Sequence, residues 1–86
     1  MDTFTVRDLH ERTGDLIHAA VDGRLSMVTC HGKPLFVAVP FDEALLQSGV
    51  HVAVAVMLFD EGRISLGKAA RLAEMSVAGF MEHLAA

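Results

Sequence analysis

The chain has 86 residues, 52% of them apolar but only five aromatic, and a formal net charge of −4. This length allows one compact domain or two very small lobes, and so small a core is marginal alone, which favours oligomerisation. The acidic balance argues against a general nucleic-acid coat. The lone cysteine, Cys30, rules out an internal disulfide and fits a reducing cytosol.

The opening MDTFTVRDLHER has neither the basic nor the apolar region of a signal peptide. Residues 49–59, the longest run nearly free of charge, are shorter than the ~20 residues of a membrane span. The expectation is a soluble, cytoplasmic chain.

Residues 2–6 alternate around Phe4 and predict a short strand. Thr5 with Asp8 three positions later has capping-box spacing, so a helix should start near Val6. Apolar Val6, Leu9, Leu16, Ile17, Ala20 and Val21 extend it at helical spacing, with Gly14 inside at a cost of roughly 1 kcal/mol against Ala. Asp22-Gly23 supplies the stop.

Residues 25–30 and 35–39 are β-rich runs joined by His31-Gly32-Lys33-Pro34, which predicts a hairpin. Pro40 ends the second strand, and residues 41–46 predict a short helix with Asp42 and Glu43 in its first turn. Gln47-Ser48-Gly49 is the one plausible linker. It divides the chain into residues 1–49 and 50–86.

In the second part, HVAVAVMLF alternates like a strand. Gly62, placed like a helix C-cap, and Ser65 and Ser76, placed like N-caps, favour helices over residues 50–61, 65–73 and 77–86. The fold class expected is α+β: a β-α-β-β-α unit, then a three-helix lobe.

Residues 64–84 fit a helix-turn-helix, with small Ala70 at the crossing, Ala73 to Ser76 as the turn, and Phe80 and Leu84 packing the second helix on the first. The turn position normally held by Gly is Glu74. The second helix offers no Arg, Lys, Asn or Gln for base edges, so a plain packing hairpin is favoured over a DNA reader. The better DNA candidates are Arg7, His10 and Arg12 along the first helix and His31 and Lys33 at the hairpin tip. For any one of them an ordinary solvated charge is the blander account.

None of the five histidines pairs with a second His or with Cys at metal-ligand spacing, and neither Cys30 nor any serine has a catalytic context. No catalytic residue, metal or cofactor is expected, and the chain reads as a non-enzyme. Met57, Met75 and Met81 join Leu58, Phe59, Leu66, Leu72, Phe80 and Leu84 in more apolar surface than so small a lobe needs. Either a groove for another protein or a core shared between identical subunits would use it.

Residues 3–46 resemble the Phd/YefM family of antitoxins, through TVRDLHERTGDLI, DGRLSMVT, HGKPLFVAVP and FDEALL. The resemblance implies an opening strand, a helix, a hairpin and a following helix, and dimerisation through this unit. Where that hairpin often carries basic residues the chain has Cys30 and His31, and His10 stands where an Arg often serves DNA.

Residues 50–84 resemble a small uncharacterised helical family, through LFDEGRISLGKAARLAEMS, often encoded beside PIN-domain toxins. Together the halves imply a type II antitoxin that neutralises a toxin and represses its own operon. The alternative is an interaction module that never touches DNA. A PIN-type nuclease would present clustered acids holding divalent metal. Arg63, Lys68 and Arg71, beside Leu58, Phe59, Leu66, Leu72, Phe80 and Met81, are the expected toxin contacts.

Overall fold

A computed structural model describes residues 1–86. The chain is α+β, with a three-stranded sheet followed by helices, and divides into Met1–Phe41 and Asp42–Ala86.

The first unit runs β1 (Asp2–Thr5), α1 (Val6–Glu11), α2 (Thr13–Val21), β2 (Ser26–Cys30) and β3 (Lys33–Ala38). The strand order is β1-β2-β3, with β1 parallel to β2 and β2 antiparallel to β3. The capping box forms in full: the Thr5 hydroxyl accepts from the Asp8 N–H, and the Asp8 carboxylate accepts from the Thr5 N–H at 2.9 Å.

The single long helix expected after Val6 is two helices. The break falls at Arg12, whose φ of −122° and ψ of 34° leave the helical region. Thr13 and Gly14 are weak helix formers, and the Arg12 side chain is drawn to Asp8, Asp15 and the Phe4 ring. Gly14 therefore sits in the first turn of α2, not in the middle of one long helix. Gly23, with φ of 75°, closes α2 as expected.

The hairpin turn is tighter than the four residues expected. His31 and Gly32 alone turn the chain, with φ of 51° and 78°, the two left-handed positions that suit a two-residue hairpin loop. Lys33 and Pro34 belong to β3, opposite Cys30 and Thr29, beside a register shift between Val28 and Thr29. Pro34 is tolerated because β3 is an edge strand. The core of this unit is Phe4, Ala19, Leu25 and Val28, with Ser26 also buried.

The second unit has α3 (Glu43–Asp60), α4 (Leu66–Leu72) and α5 (Val77–Ala85). Asp42 caps α3 by accepting from the Leu45 N–H at 2.9 Å. Gly49, with φ of 85° and ψ of 166°, kinks α3 where a linker was expected, so residues 43–48 and 50–60 form two arms. α3 is the one helix long and apolar enough to cross a membrane by length and composition. The kink leaves its longer arm about 16 Å long, well short of a ~30 Å hydrocarbon core.

Ser65 and Ser76 cap α4 and α5, accepting from the N–H groups of Lys68 and Gly79. Three alanines, Ala69, Ala70 and Ala73, let the helices approach closely around Val52, Ala55 and Phe80. Phe59 meets the Phe80 ring edge-on at 6.0 Å, a geometry that adds to area burial.

Candidate interaction surfaces

At the sheet end where β1 and β2 stop, Thr5 pairs with Thr29. α1 starts directly after Thr5 and the hairpin turn directly after Cys30. Arg7, two positions beyond Thr5, and His31, two beyond Thr29, therefore emerge at one end of the sheet, with Lys33 next to the turn. All three are exposed, and neither Arg7 nor Lys33 makes an ion pair. His10 is exposed in the last turn of α1.

Arg12 is engaged differently from the others in that set. Its Nε donates to Asp15 at 3.0 Å, its guanidinium lies 3.6 Å from Asp8, and its Cζ stands 4.9 Å from the Phe4 ring centroid. The Asp15 hydrogen bond holds its guanidinium above the ordinary value. The Thr5 N–H, with the Thr5 hydroxyl and Arg12, holds the Asp8 carboxyl below its own. Arg24, which the sequence reading passed over as a site, bridges Asp2 and Asp22 beside the other end of β1. No group of three or more His, Cys, Asp or Glu residues comes together to hold a metal.

In the second unit Arg63, Lys68 and Arg71 are exposed and free of ion pairs. Leu72 and Met81 are exposed, while Leu58, Phe59 and Leu66 are half-buried. Phe80 is a correction. It is fully buried against the alanines and Phe59, so it builds the lobe and has no surface to offer a partner.

The outer side of α5 adds two residues, Val77 and Leu84, not expected as contacts. Val77, Met81 and Leu84 recur at i, i+4 and i+7, which places them along one stripe, and all three are exposed. The sequence led to the expectation that Phe80 and Leu84 both pack on the preceding helix; Phe80 does, and Leu84 is exposed. The first unit also exposes Ile17, Val21, Leu35, Phe36 and Val37.

No curated protein and no solved structure matches the chain. Residues 33–86 match the uncharacterised protein family UPF0175. The match starts at the first residue of β3, runs through α5 and takes in more than half of the sequence. The chain is a member of UPF0175.

Proposed function

We infer that the chain is the antitoxin of a type II toxin-antitoxin pair, working in the cytoplasm as a homodimer or larger homo-oligomer. Its helical unit covers a toxin, a PIN-type ribonuclease in the favoured case, and its sheet unit binds operator DNA and represses the operon. Association of UPF0175 with toxin-antitoxin systems supports the reading. The assignment of residues 3–46 to a Phd/YefM-like unit is part of this proposal and rests on the sequence resemblance.

The observation that carries the toxin half is the outer side of α5. A helix in this position of a helix-turn-helix would read bases with Arg, Lys, Asn or Gln. Here the exposed positions are Val77, Ala78, Met81, Glu82, Leu84 and Ala85, a surface suited to a protein and repelled by phosphate. Lys68 and Arg71 on α4, with Arg63 in the preceding turn, supply charge for an acidic cleft.

The test is rescue of growth during expression of the PIN-domain nuclease encoded in the same operon. The full chain should rescue, and a chain lacking residues 50–86 should not. Rescue by that truncated chain would move neutralisation out of the helical unit.

A reading without DNA binding is favoured by Arg12, whose charge is already met by Asp8 and Asp15. Titration of the promoter fragment at two salt concentrations separates the readings. Arg7→Ala and Lys33→Ala should each reduce the salt slope by about 1 if those residues meet phosphate.

A further inference from the structure

Fixed charge cancels at the sheet end that carries Arg7, His31 and Lys33. Arg7 and Arg12, with Lys33 beside the hairpin turn, are matched one for one by Asp8, Glu11 and Asp15. Arg12 is held between Asp8 and Asp15. Glu11, one turn beyond Arg7, is exposed and makes no ion pair. While the histidines are neutral, this end has no net charge with which to attract a polyanion.

Two histidines stand at the same end. His10 lies three positions after Arg7, so both occupy one face of α1, and both are exposed. His31 is exposed in the turn, two residues before Lys33, with a φ of 51°. No ion pair engages either imidazole. α1 packs on β1, β2 and α2. Of their ionisable groups, Cys30 of β2 and Asp15 of α2 stand nearest this end, whereas Asp2 of β1 lies at the far end with Arg24. The charge on His10 and His31 therefore decides whether the end is balanced or cationic.

We propose that DNA binding at this end is coupled to proton uptake by His10 and His31, so that the chain holds its operator more tightly as pH falls from about 8 to about 6. The proposal rests on the DNA half of the proposed function and adds what regulates it. Histidine is the one side chain whose ordinary charge change lies between about pH 5 and pH 8. A phosphate beside an imidazole favours its charged form. The complex then holds more protons than the free chain, and by linkage a lower pH raises the affinity. Each proton taken up adds one charge to an end that has no excess without it. That window lies above the range in which the Asp8 capping box is lost, so the folded state persists across it.

The experiment is fluorescence anisotropy of the labelled promoter fragment, titrated with the full chain at pH 6 and pH 8 and at two salt concentrations. The wild type should bind about tenfold or more tightly at pH 6, with a salt slope steeper there by up to about 2. His10→Asn with His31→Asn should match the wild type at pH 8 and gain less than about twofold at pH 6, because its charge no longer changes. Asparagine also accepts the left-handed backbone of position 31, and circular dichroism at both pH values checks the fold. His18→Asn with His51→Asn, which removes as many imidazoles elsewhere, should keep the full dependence. Binding that is equal at pH 6 and pH 8, yet weakened by Arg7→Ala and Lys33→Ala, overturns the proposal and leaves the DNA reading standing. A dependence that survives in the His10/His31 variant, or is lost equally in the His18/His51 variant, also overturns it. No binding at either pH removes the DNA reading and the proposal together.

Discussion

The Arg12 guanidinium lies over the ring of Phe4, 4.9 Å from its centroid, while the same group reaches Asp8 on one side and Asp15 on the other. The residue that interrupts the first helix is thus the one that covers the buried Phe4. Its cation faces an aromatic ring, an attraction that deepens as water is excluded. Arg12→Ala should lower the thermal midpoint of the isolated protein with no DNA present. Arg12→Lys should recover part of the loss, because an ammonium keeps the charge and loses the planar fork. An unchanged midpoint for Arg12→Ala would show that these contacts do not stabilise the fold.

Phe80 governs the second unit. It is fully enclosed by Val52, Ala55, Ala69, Ala70, Ala73 and Phe59. Phe80→Ala should cost about 3–5 kcal/mol, enough to unfold so small a unit, whereas Phe80→Leu should cost markedly less. Urea titration followed by circular dichroism measures both. Equal losses for Leu and Ala would argue that shape around the ring does not matter.

Glu74 stands in the left-handed region with φ of 59°. A side chain there costs about 1–2 kcal/mol that glycine avoids. Glu74→Gly should therefore raise the unfolding free energy, by about 1 kcal/mol once glycine's greater unfolded-state entropy is set against the gain, and with it the denaturation midpoint. Glu74→Val should lower it, since a β-branched residue is still less suited to positive φ. A fall in the midpoint for Glu74→Gly would mean that Glu74 earns its place through a contact of its carboxylate.

The capping box makes folding depend on acidity. The Thr5 N–H, the Thr5 hydroxyl and Arg12 hold the Asp8 carboxyl below its ordinary value of 3.8 in the folded chain. The folded state thus favours the ionised form. Its contribution is complete above the ordinary value and disappears as pH falls through the lowered one. Asp8→Asn should flatten that part of the stability-pH curve between about pH 5 and pH 2, as measured by urea midpoints. An Asp8→Asn curve parallel to that of the wild type throughout the window would disprove the role of Asp8.

Local rules made much of this visible in the sequence. Thr5 and Asp8 announce their box by spacing, Gly23 and Gly62 mark left-handed ends, and Ser65 and Ser76 cap the helices they precede. What escaped depends on contacts between distant residues. The break falls at Arg12, where contacts with Phe4 and two carboxylates add to the weak helix propensity of Thr13 and Gly14. Pro34 looks like turn chemistry and is a strand residue, because nothing in the sequence says that β3 is an edge. The sequence pointed to Phe80 and Leu84 as the packing face of α5, but Phe80 is the one enclosed by the alanines of α4. For the candidate surfaces, residue types were legible, and Phe80 was expected to pack α5 on α4 as well as to meet a partner; the engagement of Arg12 and the exposure of Leu84 required coordinates.

The parallel pairing of β1 with β2 has a kinetic consequence. β2 and β3 close over a two-residue turn, a fast local event. Phe4 must reach Val28 across two helices and a further turn, with a larger loop-closure entropy to overcome. During synthesis β1 leaves the ribosome first and must wait for residues 26–28 before it has a neighbour. Through that interval Phe4, the largest fully buried side chain of the unit, is exposed to solvent, and the first of the three strands to be made is the last to be fastened.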